Sequence, residues 1–145
     1  MSVTVADYIN KLDQVRNNIP NIVSKSVAIN EEAIIHLNTQ VQLYNEGIDS
    51  NNIVLAPYSK DTIFIKQSNN QPYDRTTLKD TGDFYRGFKL IFTSNHLFIT
   101  STDDKTDLLM GKYGTNIFGL TPDNQLTLYN EILLPDICDY LREKL

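Results

Sequence analysis

Apolar residues recur at steps of three and four through the first third of the chain, and this spacing predicts two helices. The first begins with Thr4 and Asp7, which have the spacing of a capping box, and residues 17–20 are expected to end it. The second is expected to run from Pro20 to Gly47, because proline suits a first helical turn and glycine a helix C-terminus. The apolar stripe of the first helix comprises Val5, Tyr8, Ile9, Leu12 and Val15.

The middle of the chain passes from loop chemistry to strand alternation. Residues 47–83 are rich in Asn, Ser, Pro and Asp and predict a loop with one short helix, which Ser59 can cap. Within them, residues 67–76 predict an exposed polar excursion. Apolar and polar positions then alternate on both sides of a Ser-Asn-His connection, which predicts a β-hairpin over residues 88–102. A third short strand is expected at residues 115–120.

The last part of the chain predicts a helix that starts at Thr121 and Pro122 and is bent or split by Pro135. Together these patterns predict an α+β fold, in which an antiparallel sheet (the hairpin plus short strands) is packed by a long N-terminal helix and a C-terminal helix. A length of 145 residues predicts a single domain. Its expected parts are helical (1–46), loop and short helix (47–83), antiparallel sheet (84–120) and C-terminal helix (121–145).

Charge and composition narrow the classes of function. Nucleic acids and anionic membranes both attract positively charged protein surfaces. Because the net charge of this chain is −5, we expect no generic or specific nucleic-acid binding and no membrane binding. No apolar run approaches the length of a membrane span, and the N-terminus lacks a signal-peptide pattern, so an intracellular protein is expected. The single cysteine, Cys138, forms neither an internal disulfide nor a thiolate zinc site alone. We expect no metal and no cofactor.

One short motif, Asp80-Thr81-Gly82, leaves two interpretations open. In dimeric aspartic peptidases of the retroviral type, this tripeptide supplies one of two carboxylates that share a proton. Those enzymes have an apolar residue before the Asp and Ser, Thr or Ala after the Gly, whereas Lys79 and Asp83 stand here. The other interpretation is a capping turn that leads into a short helix, and we favour it. No other motif indicates an enzyme, and His36, His96 and the acidic cluster around Asp103 are expected to be structural or solvated.

Three stretches of the chain resemble the phage virion-morphogenesis and tail-completion family, over residues 44–130. Family members show a glycine, a Trp-x-Pro-Leu-Ser-x-x-Thr stretch and a lysine, then Leu-x-Asp-Thr-Gly-x-Leu, then Phe-Leu-Gly-Leu before the last helix. This chain contains no tryptophan. The matching stretches are Gly47 with Leu55-Ala56-Pro57-Tyr58-Ser59-Lys60-Asp61-Thr62-Ile63 and Lys66, then Leu78-Lys79-Asp80-Thr81-Gly82-Asp83-Phe84-Tyr85-Arg86, then Ile117-Phe118-Gly119-Leu120-Thr121-Pro122-Asp123.

The resemblance implies a structural virion protein at the head–tail (neck) or tail-end joint, which completes the tail or joins it to the head. It implies a homo-oligomeric ring, with other neck and tail proteins as partners, located in the virion and, during assembly, in the host cytoplasm. Residues 67–76 and 103–116 would order against neighbours. A small acidic inhibitor of a host enzyme is a further open alternative. The candidate interface residues are Arg75, Asp80, Tyr85, Arg86, Lys89, Lys112 and Tyr113.

Overall fold

The structure, a computed structural model, describes residues 2–93 and 96–145, so the predicted hairpin connection at Ser94 and Asn95 lies outside the described residues. The elements combine helices with an antiparallel hairpin, and the predicted α+β class with its long N-terminal and C-terminal helices is confirmed. In chain order they are α1 (Val5–Ile29), α2 (Glu31–His36), a π-helical segment (Leu37–Glu46), α3 (Lys60–Ser68), α4 (Asp83–Arg86), β1 (Phe88–Thr93), β2 (His96–Ser101), α5 (Thr106–Tyr113), a 3₁₀ turn (Thr115–Ile117), α6 (Pro122–Thr127), a second π-helical segment (Leu128–Leu133) and α7 (Leu134–Lys144).

The chain divides into two compact units. The helical unit consists of Met1–Asn30 and Leu126–Leu145, and the central unit consists of Glu31–Gln125. Within the described residues, no helix has the length and apolarity that crossing a membrane requires.

In the helical unit, α1 continues through Pro20, so the prediction that the first helix ends there is wrong. A proline inside a helix removes one backbone hydrogen bond, and tertiary packing can offset that loss. Here α1 packs against α7: the Asn18 amide donates to the Tyr140 hydroxyl at 3.0 Å, and the Ser26 hydroxyl donates to Asp136. Local signals alone therefore misplace the end of α1.

Local signals at other helix ends are confirmed. Thr4 and Asp7 form the predicted capping box of α1, and Ser59 caps α3 by accepting from the Thr62 N–H at 3.2 Å. Gly47 ends the first π-helical segment with φ +63°, a conformation that favours glycine. At Pro135 the C-terminal helix is not interrupted as a split would require; its hydrogen bonding changes from π-helical before Leu134 to α-helical in α7.

In the central unit, β1 and β2 pair antiparallel, with Phe88 opposite Ser101 and Leu90 opposite Ile99. α2 lies against β1, where the Leu90 N–H donates to the Glu31 carboxylate at 3.1 Å. The aromatic rings of Phe84 and Phe88 meet edge to face, 5.1 Å apart. The core of this unit consists of Leu43, Leu55, Leu78, Phe84, Phe88 and Ile117.

The expected third strand at residues 115–120 is not formed; a 3₁₀ turn begins there instead. Two buried amides take up the backbone groups that a strand would have paired. The Asn38 side chain donates to the Ile117 C=O at 3.0 Å and accepts from the Gly119 N–H at 2.9 Å. Gln42 donates to the Gly119 C=O at 2.9 Å and accepts from the Thr121 N–H at 2.8 Å. Among the described residues, the sheet consists of β1 and β2.

Candidate functional site

Three tyrosines and three cations come together in the central unit, and we call them the tyrosine–cation cluster. The Lys79 ammonium lies 5.0 Å from the centre of the Tyr44 ring, and the Arg75 guanidinium carbon lies 5.7 Å from it. These distances are in the range of cation–π attraction. The members of the cluster are Tyr44, Tyr58, Tyr85, Lys66, Arg75 and Lys79.

Buried Thr77 holds two of the tyrosines in place, and its neighbour Thr76 ties the same segment to the loop before α3. The Thr77 N–H donates to the Tyr58 hydroxyl at 2.9 Å, and the Tyr85 hydroxyl donates to the Thr77 C=O. The Thr76 hydroxyl donates to the Ala56 C=O at 2.5 Å. Burial raises the pKa of the Tyr85 phenol, and the neighbouring Tyr58 adds to this effect. The raised pKa means that Tyr85 keeps its proton, and with it the bond to the Thr77 C=O, in more alkaline solution than an exposed tyrosine would.

Lys66 is a buried cation that joins two of the family-like stretches. It projects from α3 and donates to the Lys79 C=O at 2.5 Å. Its ammonium also lies 5.3 Å from the centre of the Tyr58 ring. A buried ammonium needs such partners because desolvation destabilises its charge. Lys66 thus helps to fix the loop that precedes Asp80.

A groove of about 380 Å³ adjoins the cluster. Its volume is within the range of small-molecule binding sites in proteins. Its walls combine apolar side chains with both signs of charge. The buried Gln71 Oε1 beside it has no hydrogen-bond partner among the described residues, although its amide nitrogen donates to the Asp80 C=O at 3.1 Å. The groove residues are Tyr58, Thr62, Ile65, Lys66, Gln71, Leu78, Lys79, Asp80, Gly82, Asp83, Phe84, Lys105, Leu109 and Tyr113.

The predicted interface residues are only partly brought together. Arg75 and Tyr85 belong to the tyrosine–cation cluster, and Asp80 and Tyr113 line the groove. Arg75 also donates to the Tyr44 C=O at 2.7 Å. The three remaining residues lie outside both features.

The remaining predicted interface residues, Arg86, Lys89 and Lys112, are exposed. Arg86 is paired with Asp83 on α4, and Lys89 lies on β1. Lys112 lies with its ammonium 5.3 Å from the Tyr113 ring centre. Sequence reasoning missed the roles of Tyr44 and Tyr58, because the cluster joins segments that are distant along the chain. The only available signal was that Tyr58, Lys66 and Lys79 fall inside the family-like stretches.

Asp80-Thr81-Gly82 forms a turn that leads into α4. Gly82 has φ +91° and occupies the position before the first residue of that helix. The Thr81 hydroxyl accepts from the Asp83 N–H at 3.4 Å, and the Thr81 side chain together with Arg86 lowers the pKa of the Asp83 carboxyl. Asp80 itself is exposed. The geometry is that of a capping turn, and a peptidase dyad would need the Asp80 of a second copy.

The other polar candidates have local roles. His36 is exposed, and His96 is stacked on Phe98 with ring centres 6.0 Å apart. The Asp103 carboxylate accepts from the Lys105 N–H at 2.8 Å at the start of α5. In the described part of the chain, no group of three or more His, Cys, Asp or Glu side chains is placed to hold a metal ion.

The three family-like stretches meet in the central unit. Leu55, Leu78 and Ile117, one from each stretch, belong to the same core. The Leu55 N–H donates to the Gly47 C=O at 2.9 Å. A Cβ on Gly47 would lie 3.1 Å from the Thr76 C=O, so both the close approach and the positive φ favour glycine there. Residues of the three stretches therefore contribute to the core of this unit.

Comparison of the chain with protein-family models, with curated proteins and with solved structures gives no match.

Proposed function

We propose that this chain is a structural protein of a bacteriophage virion, which acts at the head–tail (neck) or tail-end joint as a homo-oligomeric ring. The resemblance of residues 44–130 to the tail-completion family motivates the proposal. It is the motif order, and not overall similarity, that supports it.

One observation carries the proposal beyond the motifs themselves. Leu55, Leu78 and Ile117 come from three separate stretches and pack into one core, and Lys66 bonds the backbone of the second stretch. Motif residues of an enzyme are expected to converge on reacting groups in a pocket. Here residues of the three stretches supply core packing, a glycine turn and a helix cap as well as much of the groove wall, and a scaffold for assembly needs both a stable body and a surface for its neighbours.

The tyrosine–cation cluster and the groove provide the surface for neighbouring subunits. Tyrosine and arginine are enriched where proteins meet, because they combine apolar area with fixed hydrogen-bonding groups. Arg75 and Tyr85 are already held in place by Tyr44 and Thr77, so contacting them orders few additional side chains. In a ring, this surface of one subunit meets a different surface of the next.

The experiment is electron microscopy of particles made by a phage genome in which this reading frame is interrupted. We expect filled heads beside unattached or overlong tails, and a plasmid copy of the intact chain should restore complete particles. Normal, infectious particles without the chain would overturn the proposal.

The peptidase alternative has its own test. A purified chain that cleaves peptides at acidic pH, with the cleavage abolished by Asp80→Asn, would replace the structural role by an enzymatic one. Under the structural proposal neither the parent nor the variant cleaves.

A further inference from the structure

The groove beside the tyrosine–cation cluster contains a buried positive charge. Lys66 is only 6% exposed, and its side chain lines the groove. Its ammonium carries three N–H donors, and among the described residues its hydrogen-bond acceptor is the Lys79 C=O. The ring of Tyr58 adds a cation–π contact, with its centre 5.3 Å from the ammonium. Both partners are uncharged groups, so dipoles and a ring replace the water that this ammonium loses on burial.

Within the described residues, no carboxylate is paired with Lys66. None of the ion pairs found there includes it. The two acids of the groove wall, Asp80 and Asp83, are exposed, and Asp83 is paired with Arg86. Desolvation destabilises a buried ammonium, and contact with an anion offsets much of this penalty. The groove therefore favours a ligand that brings a negative charge to Lys66.

A second buried group in the same groove needs a hydrogen-bond donor. Gln71 Oε1 is buried and has no partner among the described residues, whereas the nitrogen of the same amide donates to the Asp80 C=O at 3.1 Å. Turning the amide round would set its oxygen against that carbonyl, so the bond fixes the orientation of the amide. Lys66 and Gln71 bond the carbonyls of two consecutive residues, which places their polar ends near each other. One ligand can therefore contact both groups.

These two groups determine the chemistry of that ligand. A phosphate monoester is nearly a dianion at neutral pH, so it offers acceptors and no donor to Gln71, and the acids of the wall repel it. An acidic peptide segment offers both functions, because its backbone N–H groups donate and an Asp or Glu side chain supplies a single negative charge. Ile65, which is 57% exposed, and Leu109 provide apolar surface for the flanking residues of such a segment.

We propose that the groove binds an acidic segment of a neighbouring protein chain, with an Asp or Glu carboxylate on the Lys66 ammonium and a backbone N–H on Gln71 Oε1. The inference rests on the proposed function, which assigns the groove to neighbouring subunits, and it names the chemistry of that contact. A volume of about 380 Å³ admits a short extended segment and no folded element. One segment alone therefore binds weakly, and several such contacts within a ring reinforce each other.

The test is an NMR titration of the isotope-labelled full chain with pools of capped tripeptides that have aspartate or glutamate at the centre. Capping at both ends leaves the central side chain as the one carboxylate of each peptide. Matched pools have asparagine or glutamine at the centre. We expect saturable shifts of groove amides such as those of Gln71 and Lys105. The amide pools should bind about tenfold more weakly, because they lack the charge-assisted bond to the ammonium.

Two variants assign this difference to Lys66. Lys66→Met removes the ammonium and keeps an unbranched side chain, and it should lower the affinity for the acidic pools about tenfold and leave that for the amide pools nearly unchanged. The matched control is Lys60→Met, since Lys60 is exposed on the same helix and does not line the groove, and it should bind like the parent. Circular dichroism checks that both variants fold. If Lys66→Met does not fold, the comparison of acidic and amide pools on the parent decides the inference.

Several results would overturn the inference. They are no binding of any acidic pool, equal affinity for acidic and amide pools, shifts confined to amides outside the groove, and equal losses in the two lysine variants. Inorganic phosphate that shifts the groove amides at lower concentration than the acidic pools would assign the groove to phosphate groups instead. None of these results decides the virion role, which the particle experiment tests separately.

Discussion

At the scale of single residues, the side-chain amides of Asn38 and Gln42 fix the backbone between the 3₁₀ turn and the start of α6 by hydrogen bonds. Asn38 and Gln42 are fully buried, and each bonds backbone groups of the segment that follows α5. The Asn124 amide also donates to Gln42 Oε1, at 2.8 Å. A buried polar network of this kind stabilises one conformation only while each member keeps its partner.

Replacing Gln42 by leucine should therefore be costly. The Gly119 C=O, the Thr121 N–H and the Asn124 amide would lose their bonds to Gln42, and each such loss costs about 1–3 kcal/mol. We expect Gln42→Leu to lower the free energy of unfolding by about 3–5 kcal/mol in urea denaturation. The control is Gln40→Leu, because the Gln40 amide donates to Asn45 at an exposed site, and it should change stability by less than ~1 kcal/mol. Similar changes in the free energy of unfolding for the two variants would contradict the claim that the buried network stabilises this segment.

Tyr85 gives a pH dependence with a definite sign. Burial raises its pKa above the ordinary 10.0, so near and above that pH the unfolded chain loses the proton and the folded chain keeps it. Stability is present below pH 10.0 and falls as the pH rises beyond it. We expect the free energy of unfolding to fall less steeply between about pH 9 and pH 11 in Tyr85→Phe than in the parent. Equal slopes would mean that the phenol is not buried.

At the scale of elements, three helix caps were predictable, whereas the continuation of α1 through Pro20 was not. The capping box at Thr4, the Ser59 cap and the Gly47 C-terminus depend on neighbours within a few residues, so the sequence pattern is sufficient for them. Continuation of α1 through Pro20 depends on α7, and loss of the third strand depends on amides about eighty residues earlier in the chain. Patterns that are read locally contain no information on such contacts.

Pro20 should limit the stability of α1. It has no N–H for the Arg16 carbonyl, and a proline in a helix interior costs up to about 3 kcal/mol relative to alanine, part of which is offset by its effect on the unfolded chain. We expect Pro20→Ala to raise the free energy of unfolding by about 1–2 kcal/mol in urea denaturation and to increase the helix signal. Gln14→Ala, at an exposed position of the same helix, should change stability by less than ~0.5 kcal/mol. A Pro20→Ala protein that is less stable than the parent would contradict this prediction. It would show that the proline ring itself contributes to the stability of the folded helix.

At the scale of the whole molecule, the site was predictable only in part. Arg75, Tyr85, Asp80 and Tyr113 lie in the cluster or along the groove. Asp80 and Tyr85 come from the second family-like stretch, Arg75 from the loop before it, and Tyr113 from the end of α5. Tyr44 and Lys66 come from separate helical elements, and only folding brings them beside Tyr85 and Lys79. A resemblance in motif order can indicate the segments of a site without giving their arrangement.

The charge of the whole chain gives a further prediction. With eighteen acids against thirteen bases, the chain has a net charge of −5, which repels phosphate groups. We expect no binding of duplex DNA in a fluorescence anisotropy titration at ~0.15 M salt, and none at ~0.05 M, where electrostatic attraction is stronger. Saturable binding that weakens steeply with salt would contradict this expectation.

The central claim, a structural role in the virion, is tested most directly by counting copies of this chain in purified infectious particles by quantitative mass spectrometry. The account predicts a fixed number of copies per particle, greater than one, which is retained after the particles are washed at high salt. Particles that are fully infectious and contain no copy of the chain would contradict it.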